Sequence, residues 1–192
     1  MYRIFLFPVL FIITVACDQQ LKNNQSILNI DSLVNAQSIA LTRSNAELQK
    51  QLTMNGSAEE MSYQPDSLNW ITELDILKQL SIINKPIYRD LYVIEDDRTD
   101  TESNLTVRTY STEQVVPVRT IKFYYRSDFK NLRRITATYI EKNSLYESAR
   151  TFNMEFSEEA KSVQLKQISI TGYQKMVLSD SVIYSLHLTI VR

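Results

Sequence analysis

The chain of 192 residues carries one cysteine, Cys17, and one histidine, His187, and these are the side chains best suited to nucleophilic or general-base chemistry. His187 shares one side of an alternating stretch with Ile183, Ser185 and Thr189, opposite an apolar row. The sequence offers it no partners in the pattern of a catalytic triad. We therefore expect His187 to be a half-exposed strand residue, and a single histidine gives no support for a metal site.

Glycine content excludes two classes of nucleotide-binding site. Gly56 and Gly172 are the only glycines, whereas an average chain has about 7%. Phosphate-binding loops need several glycines so that the backbone can approach the ligand closely. With 22 acidic residues, paired carboxylates for glycoside hydrolysis cannot be identified from spacing. We expect no enzymatic activity, no metal and no cofactor.

An acidic run covers residues 95–102 ("EDDRTDTE") and contains five acids and one arginine. Such a run suggests a calcium loop, but the spacing and the central glycine of an EF-hand are absent. We therefore predict a solvated acidic hairpin loop.

A basic hairpin is predicted over residues 119–134 ("RTIKFYYRSDFKNLRR"). Interleaved basic and aromatic residues are typical of single-stranded nucleic-acid sites, but strand alternation places half of these aromatics in the core. Together with the net charge of −1, this argues against nucleic acid as a partner. The alternatives are an ordinary charged sheet face or a contact with anionic lipid head groups or an acidic partner. The candidate contact residues are Lys122, Arg126, Lys130, Arg133 and Arg134.

The first 16 residues have the pattern of a secretory signal. Arg3 is the single positive charge, and the apolar run from Ile4 to Val15 is interrupted only by Pro8 and Thr14. This run is too short for a transmembrane helix, which needs roughly 20 apolar residues. We therefore predict a signal peptide over residues 1–16.

The signal ends in "TVAC", which resembles the lipobox of bacterial lipoproteins. Val15 and Ala16 fit the small residues of that motif, whereas Thr14 stands where the family usually has leucine. The resemblance implies cleavage between Ala16 and Cys17, acylation of the Cys17 thiol and a lipid anchor in the membrane. Ordinary secretory cleavage after Ala16 is the alternative. Acylation would leave no free thiol for a disulfide, a zinc site or a nucleophile.

The remaining sequence predicts an α+β fold in one domain over residues 31–192. Residues 17–30 are polar and form a tether. Asp31 is the expected N-cap of a helix over 32–54, and Asp66 opens a second helix over 66–80 with an apolar face that includes Ile71. Residues 56–65 between them are predicted to be a loop. The helices thus fall within 32–80.

From Tyr88 onward the apolar period is two, which predicts a β-sheet within 88–191. Short polar connections favour an antiparallel meander, because parallel strands need long crossovers. A phase slip between Leu165 and Ile168 predicts a bulge, and Gly172 marks a candidate second bend. The fold class is therefore two N-terminal helices packed on a twisted antiparallel meander of about seven strands. The predicted strands cover 88–95, 104–111, 117–126, 132–142, 147–156, 163–178 and 181–191.

The segments "NWITELDILKQLSIINKP" and "ISITGYQKMVLSDSVIYSLHLTI" resemble small uncharacterised lipoproteins of the Bacteroidota. The resemblance covers roughly residues 65–192 and implies no functional residues. Surface-exported lipoproteins of that group often carry an acidic run after the cysteine. Only Asp18 follows here, so we expect a lipid-anchored envelope protein that faces the periplasm.

Two functions remain open. The first is a non-catalytic interaction or accessory module that docks another envelope protein. The alternative is a carrier for a lipid or another hydrophobe, held in a cavity between a curved sheet and the helices. A carrier should leave part of the inner sheet face uncovered, with a pocket of a few hundred Å³. The candidate pocket residues are Phe123, Tyr125, Ile135, Tyr139, Phe152 and Met154.

Overall fold

The computed structural model of the chain describes residues 28–159 and 162–192. These residues form a single antiparallel sheet of nine strands and a few helices. The helices are α1 (Ile30–Arg43), α2 (Ser67–Leu74), a 3₁₀ helix (Asp75–Asn84) and α3 (Pro86–Arg89). The strands are β1 (Glu47–Met54), β2 (Ser57–Tyr63), β3 (Val93–Thr99), β4 (Thr106–Ser111), β5 (Val118–Arg126), β6 (Asp128–Lys142), β7 (Tyr146–Glu159), β8 (Ser162–Met176) and β9 (Val182–Val191).

The strand order is β2-β1-β9-β8-β7-β6-β5-β4-β3. The predicted antiparallel meander is present as β3 to β9, in which each strand pairs with the next one in the chain. The predicted total of about seven strands is wrong, because the β1–β2 hairpin adds two more beside β9. The fold is therefore mostly β and only partly matches two helices on a meander.

The predicted helix over 32–54 is wrong beyond Arg43. Residues 47–54 are strand β1, and Asn55 and Gly56 have φ angles of 47° and 89°. Positive φ at both central residues is what a two-residue hairpin turn requires, and Asn-Gly is its preferred sequence. The predicted loop after Gly56 is therefore strand β2, which pairs with β1 along its whole length.

Helix α1 begins two residues earlier than predicted, because its N-cap is Asn29 rather than Asp31. The Asn29 side chain caps the helix by accepting a hydrogen bond from the Ser32 amide at 2.9 Å. Asp31 lies instead in the first turn, where a carboxylate interacts favourably with the helix dipole.

The second helix begins as predicted, since the Asp66 carboxylate accepts from the Asn69 amide at 2.8 Å. It then continues as a 3₁₀ helix to Asn84, beyond the predicted end at residue 80. Lys85 is extended, and the short helix α3 then begins at Pro86, so the strand predicted from residue 88 begins only at Val93.

One face of the sheet is apolar and lies under the helices. A straight row of paired residues on this face crosses eight strands without a charged side chain. Helix residues such as Trp70, Leu41 and Leu77 belong to the same buried cluster. Ile71, predicted to lie on the apolar helix face, is instead 40% exposed. The row consists of Leu52, Leu186, Ile170, Phe152, Ala137, Ile121, Tyr110 and Ile94.

The predicted bulge in β8 is confirmed. Leu165 pairs with Phe156 and Gln167 with Glu155, so Lys166 is the extra residue. Gly172 is also in β8, and a Cβ there would lie 2.5 Å from the Ala149 carbonyl oxygen. The glycine is therefore required by close packing rather than by a turn.

A buried glutamine joins α1 to the sheet beside this bulge. Gln37 Nε2 donates to the Val163 carbonyl at 3.0 Å, and the Leu165 amide donates to Gln37 Oε1 at 2.7 Å. The β8–β9 pairing extends only to Gln167, so this side chain satisfies backbone groups beyond the end of β9.

We expect Gln37→Met to lower the free energy of unfolding by about 2–4 kcal/mol, because it leaves a buried amide and a buried carbonyl unpaired. Urea denaturation followed by the fluorescence of Trp70, the single tryptophan, measures this change. Gln49→Met on an exposed strand position is the matched control and should stay within about 0.5 kcal/mol of the parent. Equal effects of the two substitutions would contradict the bridging role.

Candidate functional site

Five of the six candidate pocket residues do not line an open space, whereas Tyr139 lines a groove of about 570 Å³ beside the 3₁₀ helix. Phe123, Ile135, Phe152 and Met154 are buried within the cluster that also contains the helices. Tyr125 is buried, and Tyr139 is half-buried against the same cluster.

The space left between α1 and the sheet is very small. It is bounded by Val34, Leu77, Met154 and Phe156 among others, and its volume is about 10 Å³. A single water needs roughly 10–15 Å³, and a bound lipid needs several hundred. The helix layer therefore fills the inner face at this point.

The five candidate basic residues do not form one free cationic surface. Arg133 pairs with Glu158 on β7. Arg134 lies 3.5 Å from the Asp100 carboxylate, and its guanidinium stacks 4.0 Å from the centre of the Tyr124 ring. The remaining three, Lys122, Arg126 and Lys130, are exposed.

The acidic run folds back onto the basic part of the sheet. Its first half belongs to strand β3 rather than to a loop. Asp96 pairs with Arg108 on β4, and Asp97 accepts a hydrogen bond from the Tyr125 hydroxyl at 2.5 Å. Asp100 adds the pair with Arg134 on β6. The Asp100–Arg134 ion pair and the Asp97–Tyr125 hydrogen bond thus join the acidic run to the basic hairpin, while Arg108 lies on β4 outside that hairpin.

The face of the sheet opposite the helices, here the open face, is polar. Seven threonine and serine residues lie directly opposite one another across β1, β9, β8, β7, β6, β5 and β4. β-branched threonine fits the exposed side of a pleated sheet, so this row has a structural reason. The row consists of Thr53, Ser185, Thr171, Thr151, Thr138, Thr120 and Ser111.

His187 lies on the open face and is half-exposed, as predicted. Its Nδ1 is 3.1 Å from the Ser169 hydroxyl, beside a shallow groove of about 380 Å³. Gln51 is directly opposite His187 on the next strand and donates to Glu60 at 2.8 Å. Gln51 therefore separates the imidazole from the nearest carboxylate in this row, and a serine–histidine pair without an orienting acid is not a triad.

The two edges of the sheet differ in how they are protected. β3 contains a register shift between Glu95 and Arg98, and Asp97 has a φ of 57°. β2 pairs with β1 in an unbroken register, and all its residues are exposed except Tyr63, which is partly buried. Bulges and irregular backbone protect edge strands from pairing with other chains, so β3 is guarded and β2 is not.

A groove on the outer side of the helices was not anticipated from the sequence. It has a volume of about 490 Å³ between α1 and α2. Ile39, which is 52% exposed, lies opposite Ile71 in its lining. The sequence predicts an apolar helix face that includes Ile71 but gives no indication that Ile39 lies opposite it.

The predicted anchor residues Ala16 and Cys17 lie outside the described residues. Within the part of the chain that the structure covers, no helix is long and apolar enough to cross a membrane. The same residues contain no cluster of three or more histidine, cysteine, aspartate or glutamate side chains that could hold a metal ion.

No known protein family, curated protein or solved structure matches this chain.

A partly buried polar triad joins the β1–β2 hairpin to α2. The Tyr63 hydroxyl donates to Glu73 at 2.9 Å, and Lys50 pairs with the same carboxylate at 2.8 Å. Burial, together with the hydrogen bond to Glu73, raises the pKa of Tyr63 to about 12. Burial and the hydrogen bond to Asp97 likewise raise the pKa of Tyr125 to about 12.

These tyrosines should make the fold sensitive to alkali. Because the pKa in the folded chain lies above the unfolded value of 10.0, stability is fully retained below pH 10 and is lost as pH rises toward 12. Titration of tyrosinate absorbance should show late-ionising tyrosines, and Tyr63→Phe and Tyr125→Phe should each remove one of them, while Tyr92, whose pKa burial also raises to about 12, remains. Complete ionisation of all tyrosines near pH 10 would contradict this arrangement.

Proposed function

We propose that the chain is a lipid-anchored, non-catalytic docking protein of the cell envelope that faces the periplasm. The observation that carries this proposal is the filled interface between the helices and the inner sheet face. A body of this kind offers surfaces and strand edges rather than an enclosed site.

The anchor rests on the position of Cys17. The single thiol follows an apolar run of signal-peptide length and two small residues, where lipoprotein acylation requires it. Two or more acyl chains hold a protein stably at a membrane, whereas one chain gives only marginal binding. The polar stretch after Cys17 would hold the folded part away from the bilayer.

The carrier alternative is less well supported by the packing. A bound acyl chain would have to separate α1 and the 3₁₀ helix from the sheet, which breaks the contacts that residues such as Val34, Leu77 and Phe152 make with one another. It would also break the bridge of Gln37 to β8.

Acylation is tested with an alkyne-labelled fatty acid in bacteria that make the full chain. We expect the parent to take up label and reside in the membrane, and Cys17→Ser to lose both properties. Ser26→Cys added to Cys17→Ser is the matched control, and a thiol nine residues away should restore neither property. Label retained by Cys17→Ser, or an unlabelled parent cut after Ala16, would contradict the anchor.

Docking and carriage are separated by native mass spectrometry of the acylated chain, released gently from membranes. We expect the mass of the chain and its own anchor, alone or with a bound protein. An unrelated acylated protein extracted in the same way sets the level of adventitious lipid. A stoichiometric additional lipid, above that level, would overturn the docking proposal in favour of a carrier.

A further inference from the structure

The free edge of β2 presents a regular set of backbone groups. Asn55 and Gly56 form a two-residue turn, so Met54 and Ser57 are a hydrogen-bonded pair and the pairs alternate from there. The Asn55 amide donates to the Ile183 carbonyl on β9 at 2.9 Å, as this alternation of hydrogen-bonded and non-hydrogen-bonded pairs requires. The backbone groups that point away from β1 therefore belong to Ala58, Glu60 and Ser62.

The side chains along this edge are acidic and adaptable. Glu59 and Glu60 lie on opposite sides of the strand, and both are exposed. Met61, which is 55% exposed, lies on the same side as Glu59. Flexible methionine side chains suit binding surfaces that accept varied partners. β2 itself carries no lysine, arginine or proline.

By contrast, the centre of the open face lacks the aromatic or apolar side chains that stable protein interfaces use, because its apolar row of Ile183, Tyr173, Ala149 and Ile140 lies toward one end of the strands. Its central rows consist of hydroxyl, amide and charged side chains. Backbone pairing at an edge needs no apolar centre, because the main-chain hydrogen bonds supply much of the affinity.

We infer that the β2 edge binds an extended, basic segment of another protein, which adds to the sheet as a further strand beside β2. This inference rests on the proposed docking function and names the surface that performs it. Lysine or arginine side chains of the segment lie against Glu59 on one side and Glu60 on the other. Apolar side chains on the first side contact Met61.

Charge also argues against a second copy of this chain as the occupant. A twofold antiparallel pairing that uses all seven residues of β2 centres on Glu60 and places two glutamates directly opposite each other. Like charges in that position destabilise a pair of strands, whereas opposite charges stabilise it.

The test uses the acylated full chain in mild detergent and two synthetic probe peptides, one of alternating lysine and valine and one of alternating glutamate and valine. Hydrogen exchange of individual amides is measured by nuclear magnetic resonance. We expect the lysine peptide alone to bind, and to slow exchange at Ala58, Glu60 and Ser62 by about tenfold or more.

Two variants and one control distinguish the contribution of the backbone hydrogen bonds to peptide binding from the contribution of the glutamate charges. Ala58→Pro removes an outward amide without removing a bond to β1, so it should abolish binding while the chain stays folded. Ala58→Val keeps the amide and is the matched control. Glu59→Lys combined with Glu60→Lys should reverse the preference between the two peptides. Trp70 fluorescence and thermal unfolding report the fold of each variant.

The inference is overturned by absence of binding, by equal binding of both peptides, or by protection that appears elsewhere than on β2. Protection of β2 that depends on protein concentration without peptide would also overturn it, because the occupant would then be a second copy. None of these results depends on the lipid measurement. An additional bound lipid would refute the docking function, whereas failure of the peptides would refute only this edge as its site.

Discussion

The structure depends on covering one apolar face of a nine-stranded antiparallel sheet. An isolated sheet of this size would leave Phe152, Ile121 and the rest of their row in water, so the short helices must lie across it. The match is tight enough to leave about 10 Å³ beside Met154. Close packing at that interface means that function has to be found on the open face, the strand edges or the outer side of the helices. The buried glutamine in α1 orients this packing, since it binds β8 at Val163 and Leu165, before the pairing of β8 with β9 begins at Gln167.

The sequence predicted correctly the strands that bury one face and expose the other. The prediction was wrong for β1 and β2, where the sequence shows no clear alternation. Strands β4 to β9 were recognised because one face of each is buried, which produces a clear period of two. In β1, Leu48 and Leu52 are four residues apart, a spacing that suits a helix stripe and a strand face equally. Strand β2 is exposed on both sides, so it has no alternation and resembles a loop. Asn55-Gly56 was the available signal, but it was interpreted as a helix stop although it is the strongest short hairpin motif.

The candidate site was harder to predict, because it depends on which strands become neighbours. The acidic run and the basic hairpin are separate in the chain, and the order β3-β4-β5-β6 brings Asp96 to Arg108 and Asp100 to Arg134. Sequence patterns locate strands, but they do not show which charged side chains on different strands will be neighbours. His187 was correctly placed on the polar side, because alternation alone determines the side. Its serine neighbour depends on register and could not be derived in that way.

The unequal protection of the two edges is the feature of this fold that supports the proposed docking function. Exposed regular edge strands promote aggregation, and natural sheets guard them with bulges, proline, lysine or short length. At β3 the chain uses a register shift and a residue with positive φ. At β2 it uses only Glu59 and Glu60, which repel acidic strands and the same strand of another copy but not a basic one. The same pair of carboxylates can therefore prevent self-association and select a partner, so a single edge strand meets both requirements without any rearrangement of the core.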